Sequence, residues 1–187
     1  MRTHADLVGW SAELAESLLA DLGDRGRHVE AVATKARRIS EIVGGENASC
    51  LVAAAYLHDI GVSPSLRRTG FHPIDGARYL RAQGEDRLAG LVANHSGARV
   101  EAALRGVASE LAEFPDEASP TRDALWYCDL TTGPTGHPTS VVARLADVET
   151  RYGPDHVVAR AMQQALPDLQ AAVTRTEGRL RVAGLAG

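Results

Sequence analysis

The apolar run from Leu51 to Leu57, LVAAAYL, ends without any turn on an imidazole and a carboxylate placed side by side, His58 and Asp59. A segment this apolar belongs in a core, and an unpaired carboxylate carried into a core costs several kcal/mol even after the protein relaxes around it. Whatever fold the chain adopts must therefore set compensating charge beside this pair.

The rest of the chain reads as helical. Aromatic residues make up only 4%, alanine, leucine and arginine dominate, and nothing alternates apolar with polar between hairpin turns, so the fold class is all-α. With 187 residues and 44% hydrophobic content, the chain can fill one ordinary core, and a single domain over 1–187 is expected. Helical periodicity predicts segments near 5–21, 26–43, 47–59, 73–83, 85–95, 120–131, 139–152, 154–164 and 167–183. Glycine and proline punctuate the joins, at Gly44-Gly45, Ser63-Pro64, Gly84 and the GPTGHP stretch of 133–138. Between Arg105 and Ser119 the pattern gives one short helix followed by the loop FPDEASP.

Charge and composition exclude several functions. A formal net charge of -4 provides no sequence-wide basic field for a nucleic-acid polymer or an anionic membrane surface, so a bound anion must be held locally. No uncharged stretch approaches the length of a membrane span, and MRTHADLVGW lacks the basic-then-apolar order of a signal segment. The expected location is the cytoplasm. Cys50 and Cys128 both sit in apolar helical segments and read as packing residues rather than a disulfide pair.

Several polar residues fall on faces that should point inward. In HVEAVATKARRISEIV the stripe is Val29, Val32, Ala36, Ile39 and Val43, with His28 one turn before Val32. The stripe Leu88, Leu91, Val92 continues into His95, and Asp129 follows Leu125 by four residues, beside Cys128. His72 precedes Pro73, a favourable first helical residue, and so lies at the mouth of a helix. Each of these alone is an ordinary buried histidine or capping aspartate. Four inward imidazoles and two inward carboxylates together are satisfied at once by bound cations.

This set resembles the HD-domain metal-dependent phosphohydrolase superfamily, whose signature is a histidine, an adjacent His-Asp pair and a distant aspartate. Here they are His28, His58-Asp59 and Asp129, and the resemblance covers an HD core of about 24–135. His72 in FHPIDGARYL and His95 in ANHSGAR match the extra ligands of the dinuclear branch, which includes YqeK-like dinucleoside-tetraphosphate hydrolases and HD-GYP phosphodiesterases. The HD-GYP lysine and second histidine are replaced by Val62 and Ser96 and no GYP motif occurs, whereas Arg99, four residues after His95, fits the YqeK-like pattern. Cyclic di-GMP is therefore not the expected substrate.

The resemblance implies an HD-type helical bundle with an N-terminal helix and a C-terminal helical extension packed on it. It implies two divalent transition-metal ions, iron or manganese ahead of zinc, nickel or cobalt, since the ligands are nitrogen-rich and lack thiolate. One ion would be held by His28, His58, Asp59 and Asp129, the other by His72 and His95, with Asp59 bridging as the catalytic ligand of the metal-activated water. The expected reaction is hydrolysis of a small phosphate ester or anhydride, a nucleotide or similar, with Arg67, Arg68 and Arg99 binding its phosphates. The alternatives are a mixed-valent diiron oxygenase acting on a phosphonate or polyol, and a nucleotide-binding sensor without turnover. Thr131 and Thr132 are candidates to orient Asp129 or to end its helix. His4, His137 and His156 read as surface residues, Arg144 and Asp147 as a surface pair, and the C-terminal third as scaffold, with covering the site or forming a homodimer face as its alternatives.

Overall fold

In the computed structural model, residues 4–185 are described, with side chains from Asp6 onward. Helix α1 spans His4–Leu19, α2 Asp24–Ile39 and α3 Gly45–Leu57. They are followed by α4 (His72–Ala82), α5 (Asp86–Ala93), α6 (Ala98–Arg105), the single turn α7 (Ala108–Leu111), α8 (Pro120–Leu130), α9 (Val141–Tyr152) and α10 (Val157–Val182). Among the described residues there is no strand, only an isolated bridge between Thr132 and Pro138. The chain is an all-α bundle.

Helix α3 is its axis. Every side chain from Cys50 to Leu57 is buried, and a helix that is apolar all round must be enclosed on all sides. Helices α1, α2, α5 and α8 supply that enclosure. The core is therefore built around the helix whose last turn runs into His58 and Asp59. Beyond it a 3-10 turn, Ile60–Val62, packs backbone to backbone against the start of α4. A Cβ on Gly61 would lie 2.0 Å from the His72 carbonyl oxygen and 2.6 Å from the Gly76 nitrogen, so only glycine permits the approach that carries His72 up to Asp59. The buried Asp75 carboxylate fastens the preceding loop, accepting from the Thr69 hydroxyl at 2.9 Å and from the Arg68 and Thr69 amides.

Serine caps set the later helices. Ser119 accepts from the Arg122 amide ahead of Pro120 in α8, and Ser140 accepts from the Ala143 amide in α9. A second apolar cluster, in which Trp126 and Leu130 of α8 meet Ala165, Leu169 and Ala172 of α10, fixes the C-terminal helix on the bundle.

Two expectations from periodicity change. The segments predicted at 154–164 and 167–183 are one helix that passes straight through Pro167. The residue costs α10 the bond to the carbonyl four residues back, but the buried stripe of Ala161, Ala165, Leu169, Ala172 and Thr176 continues on both sides of it. Helix α6 was not expected, because only Ala98 and Ala102 of it are buried and two alanines make a weak apolar signal; Gly97 and Gly106, both at positive φ, bracket it. Cys50 and Cys128 are free and buried, as packing residues should be. No helix among the described residues is long and apolar enough to cross a membrane.

Candidate metal centre

Four imidazoles converge at the end of α3. Their ring centroids follow one another at 5.4 Å (His28 to His58), 5.3 Å (His58 to His95) and 5.2 Å (His95 to His72). Three of the rings have Nδ1 on a backbone carbonyl: His28 on Gly133 at 3.0 Å, His58 on Ala55 at 2.8 Å and His95 on Val92 at 2.6 Å. A carbonyl only accepts, so Nδ1 carries the proton and each Nε2 turns a lone pair inward.

Those lone pairs meet carboxylates. His28 Nε2 lies 3.0 Å from Asp129 Oδ1, and His58 Nε2 lies 3.3 Å from Asp59 Oδ2 and 3.8 Å from Asp129 Oδ1. On the other side of Asp59, Oδ1 is 3.1 Å from His72 Nε2 and 3.9 Å from His95 Nε2. Acceptor facing acceptor in a buried site is unfavourable unless a proton or a cation lies between. His58 Nε2, fully buried, has no hydrogen-bond partner at all.

The donor atoms sort into two groups, each with its ligand atoms within 4.8 Å of one another: His28, His58 and Asp129, and Asp59, His72 and His95. Asp59 turns one oxygen toward each group. These are buried groups positioned to hold divalent metal, and the orphaned nitrogen with its facing carboxylates is the arrangement that a cation would satisfy.

Electrostatics agree. Burial alone would push the His58 imidazole down, but the charges of Asp59 and Asp129 outweigh it and raise its pKa to about 9, so without metal a proton holds the place of the cation. Burial together with the neighbouring His72 and His58 pushes His95 down to about 4, which leaves it neutral and able to ligate. Burial would raise both aspartates, yet Arg25 and His58 hold Asp59, and His28, His58 and Arg144 hold Asp129, well below the usual carboxylate range.

Three further side chains touch these carboxylates. Arg25, one helical turn before His28, reaches Asp59 Oδ2 at 2.5 Å. Ser96 donates its hydroxyl to Asp129 Oδ2 from a left-handed backbone position, φ 45° and ψ 42°, a conformation that costs a non-glycine residue about 1 kcal/mol or more and that persists where the surroundings impose it. Arg144 of α9 comes within 3.9 Å of Asp129 Oδ1. The centre opens into a cavity of about 400 Å³ that is also lined from α9 and α10 and by Leu22, Asp24, Pro73, Ala98, Glu101 and Pro134.

The six side chains singled out in the sequence, His28, His58, Asp59, His72, His95 and Asp129, are thus brought together. The three arginines assigned to phosphate binding are not. Arg67 and Arg68 are exposed on the loop fastened by Asp75 and do not line the cavity over the centre; Arg67 lines a second pocket, which it shares with His72. Arg99, the second residue of α6, is turned to the outer face, 81% exposed and 3.8 Å from Asp168. Arg25, Arg144 and Arg151 line the cavity instead. Arg144 and Asp147 are not a surface pair, since Asp147 pairs with Arg151 and Arg144 is turned to the centre.

The hydroxyls of Thr131 and Thr132 bond the carbonyls of Tyr127 and Cys128, so they finish α8 rather than orient Asp129. His137 and His156 are exposed, and His156 caps α10 through the Val158 amide. The side chain of His4 lies outside the described residues. Arg25 and Arg144 had a signal in the sequence, Arg25 as the i-3 neighbour of His28 and Arg144 in the stripe Arg144, Val148, Arg151 of α9. Ser96 had none.

The protein-family model described as HD domain matches residues 25–154, a span that takes in all six converging side chains and stops before α10. No curated protein and no solved structure matches the chain.

Proposed function

The chain belongs to the HD-domain family, and from that premise we propose that it is a metal-dependent phosphohydrolase acting on a small phosphate ester or anhydride. The observation that carries the reading is the set of inward imidazole lone pairs aimed at two carboxylates, above all the partnerless His58 Nε2. We assign to the centre two divalent transition ions, iron or manganese, as in the dinuclear branch. The donor set of imidazole nitrogen and carboxylate oxygen suits them. When bound, such a pair supplies Lewis acidity at the phosphoryl group and acidifies water toward a pKa of about 7.

The chain's own contributions are positional and electrostatic. The Nδ1 bonds to Gly133, Ala55 and Val92 hold three rings in one tautomer and one orientation. Asp59 and Asp129 stay ionised at neutral pH. Asp24, Asp59, Glu101 and Asp129 line the cavity against Arg25, Arg144 and Arg151, and the His58 proton brings the metal-free site to near neutrality, so the attraction for an anionic substrate comes from the metal charge. With that charge present, Arg25 and Arg144 are released from neutralising ligand carboxylates and their guanidiniums serve the non-bridging phosphoryl oxygens.

The test is phosphate release by protein loaded with Mn²⁺ or Fe²⁺, across nucleotides, dinucleoside polyphosphates and simple phosphomonoesters. Metal-dependent release from at least one class is expected. Metal-loaded protein that consumes oxygen with a phosphonate or polyol and releases no phosphate would overturn the hydrolytic reading.

A further inference from the structure

We propose that the wall contributed by α9 and α10 is a subsite for the organic part of the substrate, and that it selects phosphomonoesters of a flat apolar or aromatic group over those of small polar alcohols. The inference rests on the phosphohydrolase reading for the phosphoryl end and on the wall itself for the other end.

The cavity is two-sided. Its floor holds the converging imidazoles and carboxylates, while Val148 and Tyr152 of α9 and Val158, Ala161 and Met162 of α10 form the facing wall. The spacing 158, 161 and 162 is a single helical face, so α10 presents an apolar strip to the cavity, while α9 sets Val148 and Tyr152 beside Arg144 and Arg151. What the wall lacks decides what it accepts. Serine, threonine, asparagine and glutamine are represented in the lining by Ser96 alone, and its hydroxyl is already on Asp129. The two acids above the floor are occupied as well, Glu101 by Arg105 and Asp24 by Arg27. Against the strip of Val158, Ala161 and Met162, a sugar or polyol would leave hydroxyls facing hydrocarbon, and an unpaired polar group costs far more selectivity than an extra apolar one gains.

Tyr152 adds a positive feature. It is a large side chain in the cavity lining that is 51% exposed, its ring stacked on His156 at 5.1 Å with 22° between the planes and with the Arg151 guanidinium over it at 5.5 Å. A ring held in place by these two neighbours offers its exposed edge to a planar group, which packs edge to face against it at low entropic cost. The α10 strip also lies outside the family match of 25–154, so this part of the cavity belongs to this chain rather than to the shared domain.

Calorimetric titration of the full chain in the presence of Mn²⁺ with phenylphosphonate and with methylphosphonate, neither of which is hydrolysed, tests the assignment. Phenylphosphonate is expected to bind about tenfold tighter or better, and the preference to fall to near unity in both Tyr152→Ala, at an exposed position, and Met162→Gln, which keeps the side-chain volume. Equal affinities, binding by neither, or a preference unchanged in both variants overturns the proposal. Phosphate release from phenyl phosphate and glycerol phosphate is read in parallel. Intact phosphonate preference with no release from either ester overturns the hydrolytic reading and leaves the subsite standing.

Discussion

Asp59 faces both donor groups, so the two sides of the centre fail differently when single residues are changed. His72→Ala leaves the outer group with His95 and Asp59 alone, and this variant is expected to lose one equivalent of metal while His28, His58 and Asp129 keep theirs; elemental analysis reads the difference. Ser96→Ala removes the hydroxyl that orients Asp129, and a change of this kind weakens metal binding about 10- to 100-fold, measurable by competition with a chromophoric chelator. Five of the converging residues were legible because each stands where an apolar run or stripe passes into a polar residue, a pattern local to its own helix, whereas His72 was legible from Pro73 and the family resemblance. Arg25 and Arg144 were harder, since periodicity places the Cα of an arginine but not the head of its long side chain. Ser96 was not legible at all, because its role depends on a left-handed backbone turn that HSG does not announce.

Helices α8 and α10 are joined by a buried carboxylate. Asp123 receives Arg175 on both oxygens, at 2.7 and 2.9 Å, and Arg122 at 3.1 Å. Burial would raise the Asp123 carboxyl, but its bonds to Arg175 and Arg122 hold it below the usual range. A depressed native pKa stabilises the fold above the unfolded value of about 3.9 and ceases to do so as pH falls toward the native one. Asp123→Asn is therefore expected to lower stability by about 1.5–3 kcal/mol at pH 7 and pH 5 alike, with the gap closing below about pH 4, as read from urea midpoints. At this scale the sequence was most informative where periodicity is local, as in the helix expected at 120–131 and found at Pro120–Leu130. It was least informative where packing overrides propensity, as in the unbroken α10 across Pro167 or the weakly amphipathic α6.

Across the whole molecule, the centre draws its side chains from α2, the end of α3, α4, the end of α5 and α8. Ions held there tie together segments far apart in the chain, and a ligand present at a hundred times its Kd stabilises the native state by about 2.7 kcal/mol. Stripping metal with a chelator is expected to lower the thermal midpoint, and returning Mn²⁺ to restore it, with no such shift in Asp59→Ala. The fold class followed from periodicity and composition alone, whereas the cavity did not, because it forms between α9, α10 and the HD residues, and no single segment carries that juxtaposition. The most direct test of the account is the metal content of the chain purified without chelator, beside Asp59→Ala prepared the same way. Two equivalents of transition metal per native chain and none in the variant is the predicted result; a native chain without metal, or an Asp59→Ala chain that keeps the full complement, would contradict it.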